Sequence, residues 1–88
     1  MIYVDELRNV VPKGPRARRN GTGWCHMWAD SEAELLTFAE YIGLKKEWAQ
    51  RRPRLLHFDL TPAKRELALD NGAIPTDLKD WFKMRREE

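Results

Sequence analysis

A single cysteine, Cys25, limits how this short chain can be stabilised. With 88 residues and one thiol, the chain can form no internal disulfide and offers no paired-cysteine zinc site. A domain of this size buries only roughly 60% of its unfolded surface or slightly more. The fold therefore depends on a hydrophobic core, to which four tryptophans and three phenylalanines are the largest contributors.

Charge and hydropathy argue against several classes of protein. Sixteen Lys and Arg against fourteen Asp and Glu leave a net charge of +2, which is too small to indicate nucleic-acid binding by itself. No apolar run approaches the roughly 18 residues of a membrane span, and the N-terminus lacks a signal-peptide pattern. P-loop, GxSxG and GxGxxG motifs are absent from the sequence. We therefore expect a cytoplasmic protein in a reducing setting, with no membrane partner and with nucleic acid disfavoured but still open.

Three β-favouring apolar segments predict strands at residues 2–5, 24–29 and 55–60, and residues 73–74 can add a short fourth strand. The helix between the second and third strands makes a βαβ unit, in which the two strands run parallel with a right-handed connection. We therefore predict one small α/β domain over residues 1–88, with a three- to four-stranded, largely parallel sheet.

Capping residues predict two helices after these strands. Ser31 and Glu34 form a capping box at the start of the first, and Gly43 is placed to end it. Thr61 followed by Pro62 is a strong start for the second helix.

A C-terminal helix is predicted at residues 76–86, with Thr76 as its cap, and a basic loop containing Gly and Pro at residues 9–23. Residues 45–50 can form a short helical turn, and the segment at residues 51–54 is predicted to end it. The cations of the loop can contact a phosphate group or a nucleic-acid backbone, or can simply be solvated. They are Lys13, Arg16, Arg18 and Arg19.

Strand alternation gathers polar side chains on one face of the predicted sheet. One set of alternating side chains is apolar and suits a face covered by helices. This set is Cys25, Met27, Ala29, Leu56, Phe58 and Leu60. The opposite set contains both histidines of the chain and consists of Trp24, His26, Trp28, Leu55, His57 and Asp59. Cys25 is therefore predicted to be a core residue rather than a nucleophile.

The histidine face is compatible with several roles. His26, His57 and Asp59 can bind a divalent metal ion, or the histidines can act as an acid and a base. Asp5 and Asp30 are further catalytic candidates. A structural role is equally open, with the histidines hydrogen-bonded to carboxylates and Asp59 capping the following helix.

The first functional prediction is a binding module for a small polar or phosphate-bearing ligand. Trp24 and Trp28 would form an apolar wall, and Lys64 would add charge at a helix N-terminus that favours an anion. The predicted ligand-binding residues are Trp24, His26, Trp28, His57, Asp59 and Lys64. The predicted phosphate or nucleic-acid contacts are Arg16, Arg18 and Arg19.

Several segments resemble a family of small bacterial and phage proteins, the domain-of-unknown-function family 4031. They are Ile2-Tyr3-Val4-Asp5, residues 24–30, and His57-Phe58-Asp59-Leu60-Thr61, with Lys64 and Gly72-Ala73. The resemblance spans residues 1 to about 75 and implies no activity. It implies that the following residues occupy the motif positions of the family: Asp5, His26, Asp30, His57 and Asp59.

Two other functions stay open at this point. A metal-assisted hydrolase would use His26, His57 and Asp59 as ligands of a divalent metal cofactor, with Asp5 or Asp30 as base. A phage-type accessory protein would bind a protein partner through exposed tryptophans. Exposed aromatic residues on so small a domain also allow a homodimer.

Overall fold

A mixed β-sheet forms the centre of the fold in the computed structural model, which describes residues 1–9, 23–52 and 55–86. The strands are β1 (Ile2–Val4), β2 (Arg8–Asn9), β3 (Gly23–Ala29), β4 (Gln50–Arg52), β5 (Leu55–Leu60) and β6 (Ile74–Pro75). Their order is β4-β5-β3-β1-β6, and β2 also pairs with β3.

Three α-helices accompany the sheet: α1 (Glu32–Tyr41), α2 (Pro62–Asp70) and α3 (Leu78–Arg86). A single turn of 3-10 helix at Lys46–Trp48 precedes β4. Within the described ranges, none of the helices is both long enough and apolar enough to cross a membrane.

The predicted α/β class is confirmed, but the prediction of a largely parallel sheet is wrong. Among the strand pairs that the structure describes, only β1 and β6 run parallel, and β3 pairs directly with β5 in the antiparallel sense. The reason is β4, an additional strand between α1 and β5. The chain reverses direction between β4 and β5, so β5 runs antiparallel to β3 instead of parallel to it. The polar sequence of β4, Gln50–Arg52, has no apolar alternation, so the sequence indicated a break there instead of a strand.

Helices α1 and α2 cover one face of the sheet. The predicted apolar set of β3 and β5 lies on this face, in a single buried cluster. Leu35 and Ala39 of α1 and Ala68 of α2 join the same cluster. The alternation of side chains therefore predicted the core correctly, although the strand directions were wrong.

The predicted ends of α1 are confirmed. Ser31 Oγ accepts the backbone N–H of Glu34 at 3.2 Å. Gly43 adopts a φ of +84°, and the N–H of Leu44 returns to the carbonyl of Ala39 at 2.8 Å. A left-handed glycine of this kind turns the chain out of the helix.

The other two helices begin at capping side chains. Thr61 caps α2 through its hydroxyl, as predicted. Helix α3 begins at Leu78, two residues after the predicted start at Thr76. The carboxylate of Asp77 accepts the N–H of Asp80 at 3.0 Å, so Asp77 provides the cap.

Helix α3 packs against one end of the opposite face. Trp81 lies 6.0 Å from both Tyr3 and Trp28, measured between ring centroids, and Tyr3 stacks on Trp28 at 5.9 Å. Trp28 is fully buried beneath this cluster. The helix therefore fills one end of the face on which the histidines lie.

Cys25 provides a test of the core. The side chain is fully buried, and burial is the main cause that raises the pKa of its thiol to about 12. At pH 8 only about one thiol in ten thousand is then ionised. We expect no reaction of the folded protein with the thiol reagent DTNB over minutes, and one equivalent of reaction in guanidinium chloride. Rapid labelling of the native protein would contradict this placement.

Candidate metal centre

The antiparallel pairing of β3 and β5 brings three predicted site residues together. His26 lies directly opposite Asp59 in the ladder, and His57 is diagonal to His26. The two imidazole centroids are 5.3 Å apart, and His57 Nε2 lies 3.9 Å from Asp59 Oδ1. One potential ligand atom from each of the three residues lies within 4.8 Å of the others. Two imidazoles and one carboxylate grouped in this way could hold a metal ion.

Asp5 fixes the ring of His26. One carboxylate oxygen lies 2.7 Å from His26 Nδ1, and the other accepts the backbone N–H of His26 at 2.6 Å. Because a carboxylate accepts hydrogen bonds, Nδ1 is the nitrogen that donates, and in the neutral ring the lone pair then lies on Nε2. Carboxylates orient metal-binding imidazoles in this way. Asp5 therefore orients the ring of His26 and is not itself in the cluster of three potential ligands.

His57 and Asp59 also have partners outside the cluster. The carbonyl oxygen of Leu55 lies 3.3 Å from His57 Nδ1, which favours the same tautomer as in His26. Gln50 donates to Asp59 Oδ2 at 2.7 Å, which leaves Oδ1 on the side of His57. Gln50 was missed by the sequence analysis because it lies on β4, the strand that was not predicted. Each candidate ligand thus has a second residue that orients it.

The chain has a bulge between β1 and β2, in the segment that contains Asp5. Val4 pairs with Met27, whereas Arg8 pairs with Trp24. Four steps along the chain from β1 to β2 therefore oppose three steps along β3, which leaves one extra residue between β1 and β2. A bulge bends its strand and redirects side chains, and this one lies between Val4 and Arg8, in the segment that contains Asp5.

The cluster is partly open to solvent. The side chains of His26 and His57 are 17% and 11% exposed, whereas that of Asp59 is 41% exposed. Trp24 packs edge-on against the ring of His26, with centroids 4.8 Å apart. Of the two tryptophans predicted to form an apolar wall, Trp24 lies beside the cluster and Trp28 is buried under α3. A ligand would therefore approach from the side of Asp59.

Asp30 lies at the other end of β3, four residues or roughly 13 Å from His26. Its carboxylate accepts from the Tyr3 hydroxyl at 3.0 Å and pairs with the Met1 amino group at 3.2 Å and with Arg85 at 3.6 Å. Burial opposes ionisation of Asp30, but the hydrogen bonds from Tyr3 and Met1 outweigh it and lower its pKa. The structure gives Asp30 a role in joining the N-terminus and β1 to α3, away from the candidate ligands.

Lys64 also lies apart from the cluster. Its ammonium donates to the carbonyl of Ile42 at 2.6 Å, at the C-terminal end of α1 and on the helix-covered face of the sheet. The predicted cationic contacts Lys13, Arg16, Arg18 and Arg19 lie outside the residues that the structure describes.

We expect the hydrogen bonds of Asp5 to stabilise the metal-free protein. Asp5→Ala leaves two donors of a partly buried histidine without their acceptor, which costs roughly 2–4 kcal/mol in the free energy of unfolding. Asp5→Asn keeps the size and one acceptor oxygen, so its cost should be smaller. Urea denaturation measures both, with the exposed Asp70→Ala as a matched control expected within about 0.5 kcal/mol of the parent. Equal stability of Asp5→Ala and Asp70→Ala would contradict the expectation.

Comparisons with known proteins add a family but no activity. A search of curated proteins and a search of solved structures each returned no match. The model of a family described as "Protein of unknown function (DUF4031)" matches residues 2–88. The match extends past the segments in which the sequence resemblance was seen and includes α3. The chain therefore belongs to DUF4031, a family of proteins of unknown function.

Proposed function

We propose that the protein binds a divalent transition-metal ion through His26, His57 and Asp59, and that the ion holds a polar or phosphate-bearing ligand. The observation that carries this proposal is the convergence of three potential ligands, each oriented by a partner of its own. Outer partners of this kind are typical of metal centres.

The hydrogen bonds at Nδ1 of both rings support a cation over a directly bound anion. In neutral rings that donate from Nδ1, His26 and His57 present lone pairs at Nε2, and Asp59 presents a carboxylate oxygen beside them. Three acceptor atoms that face one another repel unless a cation or a donor lies between them. A phosphate brings only more acceptors, so a phosphate-bearing ligand would need the ion as a bridge.

The ligand types favour a particular class of metal. Imidazole nitrogen suits Zn²⁺, Fe²⁺, Co²⁺, Ni²⁺ and Cu²⁺, whereas Mg²⁺ and Ca²⁺ prefer oxygen ligands throughout. An ion about 2.0–2.2 Å from each ligand requires ligand atoms roughly 3–4 Å apart. The observed limit of 4.8 Å is close to that separation, so small side-chain rotations would complete the site.

The first test is a titration of the metal-free protein, prepared without a histidine tag, with Zn²⁺. We expect one equivalent to bind in isothermal titration calorimetry, and Asp59→Ala to weaken the affinity at least tenfold. His57→Ala should weaken it further because imidazole is the stronger zinc ligand. Zinc at one hundred times its Kd should stabilise the fold by about 2.7 kcal/mol.

The exposed Asp70→Ala is the matched control, since it removes a carboxylate from the end of α2 and should leave zinc affinity unchanged. Absence of binding heat together with an unchanged melting temperature would overturn the metal proposal. Equal affinities of Asp59→Ala and Asp70→Ala would overturn the ligand assignment.

Metal-assisted hydrolysis is a second candidate function. The small number of potential protein ligands, three, favours it. Three protein ligands leave at least one position for water, and zinc lowers the pKa of a bound water to about 7. The exposed side of Asp59 would admit a substrate to that position. Neither predicted base suits this scheme, because Asp5 is committed to His26 and Asp30 lies at the far end of β3. His26, His57 and Asp59 would hold the ion, and the ion would supply the activation of water in place of a protein base.

Hydrolysis is tested with bis(p-nitrophenyl) phosphate and protein loaded with Zn²⁺, Co²⁺ or Mn²⁺. Water would replace p-nitrophenolate on phosphorus, and the released p-nitrophenolate would be measured at 405 nm. We expect EDTA to abolish the release and Asp59→Ala to slow it about a hundredfold. Stoichiometric metal without turnover, or turnover that is unchanged in Asp59→Ala, would limit the site to binding.

The placement of the tryptophans gives less support to the protein-contact alternative. Trp28 and Trp81 are buried, Trp24 is half-buried, and of the four only Trp48 is mostly exposed, at 51%. One exposed tryptophan provides a single anchor for a partner. A protein partner, a homodimer, a nucleic-acid contact and a cytoplasmic setting stay predictions from the sequence.

A further inference from the structure

We infer that Arg65 is a positioning residue for the candidate metal centre, acting through Asp5 from the α2 side of the sheet. Its Nε donates to the backbone carbonyl of Asp5 at 3.0 Å, across 60 positions of sequence. The effect on metal affinity rests on the proposed function, whereas the effect on the His26 ring does not.

The backbone carbonyl of Asp5 depends on this hydrogen bond because Asp5 is buried. Asp5 follows the last paired residue of β1, and its own N–H donates to the carbonyl of His26 at 3.2 Å. Asp5 is only 5% exposed, so its carbonyl needs a donor from the protein. Arg65 supplies that donor. Asp5 is thus held at its N–H, its carbonyl and both carboxylate oxygens.

Arg65 is itself held in place by the start of α2. Its N–H donates to the carbonyl of Thr61 at 2.9 Å in the first helical turn. The connection from Asp59 on β5 to Arg65 is only six residues long. Strand β5, which carries His57 and Asp59, is therefore followed closely by Arg65. Arg65 in turn holds Asp5, the partner of His26. Burial raises the pKa of Cys25, and the nearby Arg65 guanidinium opposes that rise, which places the cation against the core side of β3.

Packing alone does not secure Asp5 on its other side. A groove of about 630 Å³ borders Asp5 and Arg65 and is also lined by Thr76 and Lys79. Because the groove leaves space beside this segment, we expect loss of the Arg65 hydrogen bond to let the backbone at Asp5 shift. A shift of Asp5 would loosen its contact with His26 Nδ1 and misdirect Nε2. Arg65 therefore controls the geometry of a ring that it does not touch.

The first experiment uses metal-free protein, so that it does not depend on the proposed metal. We expect the Nδ1 proton of His26 to appear in ¹H–¹⁵N NMR spectra, protected from exchange by Asp5. Arg65→Gln should accelerate its exchange at least tenfold. Arg85→Gln is the matched control, because it removes an arginine that pairs with a different aspartate, Asp30, and it should leave the exchange unchanged.

The second experiment tests the route with a double-mutant cycle on Zn²⁺ affinity. We expect Arg65→Gln to weaken zinc binding about tenfold and Asp5→Asn to weaken it 10- to 100-fold. If Arg65 acts through Asp5, adding Arg65→Gln to the Asp5→Asn protein should change the affinity less than twofold. A merely structural role would lower stability without this pattern. Arg65→Lys, which keeps a cationic donor, should restore part of both effects and serves as the variant where Arg65→Gln fails to fold.

The inference would be overturned if the Nδ1 proton exchanged as slowly in Arg65→Gln as in the parent protein. It would also be overturned if Arg65→Gln lowered zinc affinity as much in the Asp5→Asn protein as in the parent. The two proposals can fail separately. If the parent binds no zinc but Arg65→Gln still accelerates exchange, the positioning role stands and the metal proposal fails. If the parent binds zinc and Arg65→Gln matches it in both measurements, the metal proposal stands and Arg65 has no positioning role.

Discussion

The antiparallel register between β3 and β5 determines both the core and the candidate metal centre. Met27 pairs with Phe58 on the face that α1 and α2 cover, and the neighbouring pair places His26 opposite Asp59 on the other face. A slip of one residue would expose Phe58 and bury a carboxylate, so burial of the core enforces the register. The polar cluster is therefore held by the same hydrophobic contacts that stabilise the domain. Strands at the centre of a sheet hold ligands more rigidly than loops do.

Much of this arrangement could be predicted because alternation along a strand is independent of the direction of its neighbour. His26 and His57 share a face whether β3 and β5 run parallel or antiparallel, so the wrong topology still gave the right histidine pair. Capping also depends on a few neighbouring residues, which explains why Ser31 and Gly43 were predicted correctly. Local rules of this kind need no knowledge of the tertiary structure.

The features that were missed depend on contacts between distant segments. Gln50 lies in a strand without apolar alternation, and its role appears only when β4 pairs with β5. Lys64 and Asp30 have the residue types of a binding site, yet one reaches the end of α1 and the other joins β1 to α3. The bulge near Asp5 follows from the different registers of the β1–β3 and β2–β3 pairs, which no single segment of the sequence reveals.

The two ends of the histidine face differ in their roles. One end contributes a buried aromatic cluster, and the other carries the candidate ligands. At one end Trp81 of α3 covers Tyr3 and Trp28 and removes their large rings from water, a stabilising burial that needs no ion. At the other end His26, Asp59 and His57 are hydrogen-bonded to Asp5, Gln50 and the carbonyl of Leu55, respectively. These partners orient the three candidate ligands. A cation entering between them would meet ligands that are already oriented and would lose little free energy to their ordering. The ion would therefore be expected to add stability to a fold that is already complete, in contrast to zinc fingers, in which the metal creates the fold.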